Sequence, residues 1–210
     1  MSDLIVVMVW HEESDPEKID AFHANLDSFK AHNPKIDIVV IKNIFCGGKA
    51  AWLGTDITFF NWYANHQQGS MAKRYLLVEW DCWCNCNLRD YYEKVFDENL
   101  VVPNVKYPER DDWFWFSSIG DLPPRARNHA TGISPMCGIL FSKHAMDIMV
   151  SEVLNQEYFG LNSEIRLGTI ATMLGIDPII NPRYNRSIGW RTSHYPIRNY
   201  PGIHHPRKTL

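Results

Sequence analysis

Long apolar runs are missing from this sequence. The first strand-like run, Leu4-Ile-Val-Val-Met-Val9, is six residues long and is bounded by Asp3 and by His11-Glu12-Glu13. A membrane-spanning helix needs about 20 apolar residues, and a secretory leader needs an apolar stretch flanked by basic residues. The run therefore reads as a buried strand, and neither a transmembrane segment nor a signal peptide is expected. Charge of one sign is also missing: 21 basic and 24 acidic residues give a net charge of −3. That balance leaves no electrostatic footprint for nucleic acid. Paired cysteines are scarce. The five cysteines are odd in number, and Cys82, Cys84 and Cys86 sit two apart, a spacing that makes poor disulfides on a strand. A reduced, cytoplasmic setting is the expectation, and the sequon Asn185-Arg-Ser187 carries little weight without a leader. Internal repeats and low-complexity segments are absent.

What the chain does have is apolar content and flat rings. A hydrophobic fraction of 45% supports a real core in 210 residues, read as one domain over 1–210. Eight Trp, nine Tyr and ten Phe supply many aromatic faces. Most belong in a core, and a minority can line a cleft for a ring-shaped ligand.

Strands and helices alternate. After the strand at 4–10, Ser14-Asp15-Pro16 opens a helix with Ile19, Phe22, Leu26 and Phe29 at helical spacing. Ile36–Ile41 is a second strand, expected to be buried on both faces. Thr55-Asp56 can cap a helix running to about Asn65, and Tyr75–Val78 is a third buried strand. Asn87 caps a helix carrying Leu88, Tyr91, Tyr92 and Val95. Val101-Val102 and Trp113–Phe116 read as strands, and Gly138–Phe141 is a strand before a helix capped by Ser142. A last helix begins near Asn162-Ser163-Glu164, and residues 183–210 are irregular. The pattern predicts an α/β domain with a mostly parallel sheet and helices on both faces.

Glu79-Trp80-Asp81 is the most informative tripeptide. It ends a buried strand, where ligands of open α/β sheets bind. Residues two apart share a face, so both carboxylates can face one cleft. Oxygen donors of this kind suit Mg²⁺ or Mn²⁺; the plain alternative is a pair of solvated acids in a turn. His204-His205-Pro-Arg207-Lys208 reads either as a frayed basic tail or as a strap that adds a nitrogen ligand and meets phosphate oxygens. The cysteine run lacks the spacing and the fourth ligand of a structural zinc site, which favours small buried hydrophobes.

Four stretches in order resemble the nucleotide-diphospho-sugar glycosyltransferases of the GT-A fold. They are the Leu4–Val9 strand with its helix, Leu76-Leu-Val-Glu-Trp-Asp81 in place of an Asp-x-Asp motif, Thr131–Lys143 with Gly138, and Asn162-Ser-Glu164 followed by His205-Pro-Arg-Lys208. The chain departs from the pattern in Glu79, in the Cys-Trp-Cys-Asn-Cys run and in its compact length. The resemblance implies an Mn²⁺- or Mg²⁺-assisted transfer from a nucleoside-diphosphate sugar to a carbohydrate or other hydroxyl acceptor. It implies Asp81 and His205 as metal ligands, Glu79 at the donor ribose or a metal-bound water, and Lys208 at the leaving diphosphate. Trp10, His11 and Glu12, with Gly48, Lys49 and Trp52, would hold the nucleotide. For Trp10 and Trp52 core packing is the plain alternative. Glu164 would be the catalytic base, although acids also stabilise first helical turns without any chemistry.

Two other readings stay open. A nucleotidylyltransferase would carry a glycine-rich basic loop after the first strand, where this chain has His11-Glu12-Glu13. A non-catalytic carbohydrate-binding protein would use exposed aromatics without a metal.

Overall fold

The computed structural model describes residues 2–45, 51, 53–66, 72–186, 188 and 201–209. Gly48, Lys49 and Trp52 of the expected nucleotide loop lie outside them.

A six-stranded sheet forms the centre, in the order β2-β1-β3-β8-β5-β9. Its strands are β1 (Ser2–Trp10), β2 (Asp37–Lys42), β3 (Ala72–Glu79), β5 (Leu100–Val102), β8 (Ile139–Ser142) and β9 (Ile179–Ile180). β1 runs parallel to both β2 and β3, and β5 runs parallel to β9. β8 is antiparallel to β3 and to β5. The sheet is therefore mostly parallel, with one reversed strand inside it. Two small ladders lie outside it: β4 (Trp83–Cys84) pairs with β10 (Ile203–His204), and β6 (Val105–Lys106) pairs with β7 (Gly132–Ile133).

Strand alternation divides the core into two layers. Ile5, Val7, Val9, Tyr75 and Leu77 face one layer, with α2 (Thr55–His66), α4 (Lys143–Val153) and α5 (Ser163–Met173). Leu4, Val6, Met8, Leu76 and Val78 face the other, where α1 (Pro16–His32) supplies Phe22 and Phe29. The same alternation carries Glu79 to the α2 side of the sheet.

Local signals explain most boundaries. Asp15 caps α1 by accepting from the Glu17 N–H, with Pro16 in the first turn. Ser142 caps α4 and Asn162 caps α5 in the same way.

Several expectations are corrected. Trp113–Phe116 form no strand; Phe114–Asp121 is a 3₁₀ segment, anchored by the buried Trp113. Its alternation is fully aromatic, and no neighbouring edge pairs with it. β2 is an edge strand and is half open to solvent, not buried on both faces. Thr55 and Asp56 lie inside α2, both buried, with their side chains committed to Glu79 and Arg166. The Asn87-capped helix α3 (Leu88–Tyr92) lasts five residues before a 3₁₀ turn, leaving Val95 half-buried. On α1, Ile19 and Leu26 are half-buried and Asn25 is fully buried. α1 packs partly on the chain segment after β3, whose backbone groups need polar partners rather than an apolar stripe.

Candidate active site

The C-terminal ends of β1 and β3 open into a cleft of about 710 Å³. Segments far apart in sequence line it: His11 and Glu12 after β1, Glu79 to Asp81 after β3, Glu164 at the head of α5, and His205 and Lys208 near the end of the described chain. A parallel sheet places the loops after its strands at one edge, which is why these segments converge.

At the floor, one atom each from Glu79, Asp81 and His205 lies within 4.8 Å of the others. His205 Nε2 stands 3.4 Å from Asp81 Oδ1 and 3.8 Å from Glu79 Oε2. Lys208 Nζ stands 3.6 Å from Asp81 Oδ2. Glu79 Oε1 accepts a hydrogen bond from Thr55 Oγ1 at 2.9 Å, and His11 Nε2 is 3.7 Å from the same oxygen. Burial pushes the Glu79 carboxyl up to about 7, helped by the neighbouring Asp81. Burial works the same way on Asp81, but His205, Lys208 and His11 outweigh it and hold that carboxyl below its ordinary value. Burial disfavours the His205 imidazolium, yet Asp81 chiefly, with Cys82 and Glu79, raises it to about 10. Burial pulls His11 the other way, below its ordinary value. Asp81 Oδ1 is buried and makes no hydrogen bond of good geometry among the described residues. A buried carboxylate oxygen in that state, beside a second carboxylate and an imidazole, is a donor set that fits a divalent cation.

The segment carrying His205 and Lys208 is docked, not frayed. β10 pairs with β4 so that His204 lies opposite Trp83, with the two rings 5.1 Å apart. His204 Nε2 is 3.3 Å from Asn85 Oδ1, outside the cleft lining. The Arg207 N–H donates to the Asp81 carbonyl at 2.7 Å. This register turns His205, and not His204, toward the carboxylates.

Glu164 sits on another wall. Its N–H donates to the capping Asn162 Oδ1 at 2.7 Å, and its Oε1 accepts from Ser134 Oγ at 3.1 Å. Burial pushes its carboxyl up to about 7 against the hydrogen bond from Ser134. Trp115 lines the cleft and also hydrogen-bonds Glu164. Ser134 reaches Glu164 because the strand β7 packs directly on α5. A Cβ at Gly168 would stand 2.3 Å from the Thr131 carbonyl oxygen, so only glycine allows that approach.

The remaining expected residues separate. Glu12 lines the cleft at a φ of 54°, in the left-handed region, and pairs with Lys42 Nζ at 2.6 Å. Non-glycine residues in that region are uncommon and gather at functional sites. Trp10 is not among the lining residues; its ring stacks on Phe22 at 4.3 Å and meets Trp80 edge-on at 5.4 Å. The sequence marks Thr55 only as a helix start and Ser134 only as part of the Thr131–Lys143 stretch, not as partners of Glu79 and Glu164. Four cysteines, Cys82, Cys84, Cys86 and Cys137, are free and buried, and none joins a metal cluster among the described residues.

No family model matches the chain, and no curated protein matches it by sequence. Solved structures do. Mouse xyloside xylosyltransferase 1 is 14% identical, with 84% of this chain and 82% of that chain covered, at a TM-score of 0.45. A glycosyltransferase involved in glycosylation of the major capsid of PBCV-1 is 7% identical, over 84% of this chain and 81% of that one, at 0.51. The galactosyltransferase LgtC, solved with donor and acceptor sugar analogs, is 12% identical over 84% and 73%, at 0.45. The assignment of architecture rests on the capsid-modifying enzyme. The chain has the GT-A-like fold of the glycosyltransferases.

Proposed function

We propose that the protein transfers a sugar from a nucleoside-diphosphate sugar to a hydroxyl acceptor with the help of a divalent cation. The observation that carries this reading is the convergence of Glu79, Asp81 and His205 within 4.8 Å at the floor of a cleft at the strand ends. Asp81 and His205 would hold the cation, with Glu79 either completing the set or meeting the donor ribose. The imidazole nitrogen tips the set toward Mn²⁺ over Mg²⁺. When bound, the cation would supply positive charge to a departing diphosphate. Lys208, half-exposed at the rim, adds a second cation there. His11 and Glu12 border the space left for the nucleoside.

Glu164 is the proton acceptor in this reading. A carboxylate that takes the acceptor hydroxyl proton works best with a pKa near the working pH, and burial moves Glu164 in that direction. Ser134 and Trp115 hold its oxygens in place while leaving it on the cleft wall.

Calorimetry with UDP and with GDP, each with and without Mn²⁺, tests the reading. Nucleoside-diphosphate binding that requires Mn²⁺ supports it. Binding of free sugar with no cation or nucleotide requirement would identify a carbohydrate-binding protein. Pyrophosphate release from a nucleoside triphosphate would identify a nucleotidylyltransferase.

A further inference from the structure

One buried side chain ties together two of the segments that build the cleft floor. Asn25, in the middle of α1, has no solvent exposure. Its Nδ2 donates to the Trp80 carbonyl at 3.1 Å and to the Arg207 carbonyl at 3.0 Å. Both partners are acceptors, so the amide must present its NH₂ group here; the flipped orientation would set oxygen against two oxygens. Asn25 Oδ1 is buried without a hydrogen-bond partner among the described residues. The position thus tolerates an unsatisfied acceptor in order to keep two donors. Leucine there would remove the stranded oxygen but leave the Trp80 and Arg207 carbonyls without this donor, so asparagine is kept for its two hydrogen bonds and not for its volume.

The two carbonyls are informative by their neighbours. Trp80 lies between Glu79 and Asp81, and Arg207 lies between His205 and Lys208 in the chain, with Pro206 beside it. A single amide therefore fixes the spacing between the carboxylate pair and the segment that carries the imidazole and the ammonium. The Arg207 N–H bond to the Asp81 carbonyl at 2.7 Å closes the same junction from the other side. Further along α1, Ser28 Oγ accepts from the Cys84 N–H at 3.0 Å, and Asn33 bonds the Cys86 carbonyl at 3.1 Å and the Leu88 N–H at 2.8 Å. Those bonds hold the chain after β3 and do not reach the strap.

We infer that Asn25 is a positioning residue for the cation site: it sets the distance of His205 and Lys208 from Asp81. The inference rests on the reading of Glu79, Asp81 and His205 as cation ligands. Groups that orient metal ligands from behind typically change metal affinity by about 10–100-fold when removed.

The test uses the full chain and Mn²⁺ alone. Asn25→Leu removes both donors and the stranded oxygen at similar volume. Mn²⁺ affinity per folded molecule is expected to fall by about 10–100-fold, alongside a lower melting temperature from the two carbonyls left without a donor. Combined with His205→Ala, it should weaken binding no further than His205→Ala alone, because the two act through one contact. A Co²⁺ spectrum should lose its nitrogen-ligand signature in Asn25→Leu as it does in His205→Ala. Unchanged Mn²⁺ affinity per folded molecule, whatever the melting temperature, marks a purely structural Asn25 and overturns the inference. Hydrogen exchange on the unmutated, metal-free protein decides independently if the variant does not fold: the Asn25 side-chain NH₂ protons should exchange slowly, and fast exchange overturns the inference. If Asp81→Asn and His205→Ala bind Mn²⁺ like the parent, the cation reading falls and takes this inference with it. If they lose binding and a folded Asn25→Leu does not, only this inference falls.

Discussion

Arg166 and Asp56 form a two-pronged ion pair with no solvent exposure on either side chain. Arg166 Nε lies 2.8 Å from Asp56 Oδ2, and Nη2 meets Oδ1. The remaining donors reach the carbonyls of Tyr158, Leu161 and Leu53. The pair locks α5 onto α2. It stands two residues from Glu164 on one helix and one residue from Thr55 on the other, so it holds the turn that carries Glu164 against the turn that carries Thr55.

Removing one partner of such a pair strands a buried charge. Asp56→Asn is expected to lose about 3–5 kcal/mol of stability. Denaturant unfolding followed by tryptophan fluorescence measures it. An unchanged midpoint would mean that the guanidinium is satisfied by the three carbonyls alone.

Asp81→Asn keeps the side-chain shape and removes a charged oxygen from the proposed cation set. Mn²⁺-dependent binding of UDP or GDP is expected to be lost, with far-UV circular dichroism unchanged. Retained cation-dependent binding would remove Asp81 from the site.

Lys208→Ala leaves the buried Ile203 and His205 in place, so it probes charge without unpicking β10. A charge-assisted hydrogen bond contributes about 1.5–3 kcal/mol. Affinity for the nucleoside diphosphate should therefore drop by roughly tenfold or more, and affinity for the bare nucleoside should not change. Equal loss for both ligands would show that Lys208 does not meet the phosphates.

Glu164→Gln is expected to lower transfer by about 10²–10⁴-fold with donor affinity retained. The parent should also report the raised Glu164 pKa. A base must be ionised to act, so turnover should fall as pH drops through about 7. A base limb at the ordinary carboxylate position, or full turnover in Glu164→Gln, would dismiss the role.

Gly168→Ala sets two effects against each other. Alanine gains about 1 kcal/mol of helix propensity over glycine. The added carbon would sit 2.3 Å from the Thr131 carbonyl, which is backbone and cannot rotate away. Overpacking of this kind costs about 1–3 kcal/mol, so the variant should melt lower. It should also lose turnover as β7 and Ser134 move off Glu164. A higher melting temperature would show that the β7 segment yields.

Much of the architecture follows from periodicity. β1 and β3 are apolar on successive residues because helices cover both faces of the sheet, and Asp15, Ser142 and Asn162 start helices through local bonds alone. Readings failed where a partner decides the outcome. Trp113–Phe116 form an aromatic run like a strand's but, among the described residues, find no edge to pair with. Ile36–Ile41 are apolar enough for a central strand and lie at the border because, among the described residues, no later strand pairs beyond them. The convergence of Glu79, Asp81 and His205 was suggested by strand-end spacing and by a family resemblance, not by any local pattern linking residue 81 to residue 205. Asn25 carries no signal, and Thr55 and Ser134 carry none for their site contacts, since a buried amide or hydroxyl reads as polar surface until its distant acceptor is known.

The tie between Asp81 and Arg207 also orders events in time. Chains fold as they are made, N-terminal parts first. All six strands of the main sheet, through β9, emerge before His205 does. A nascent chain can thus complete its sheet before the segment carrying His205 and Lys208 pairs with β4. On the proposed reading, a product stopped before residue 203 would lack the imidazole and the ammonium that complete the site.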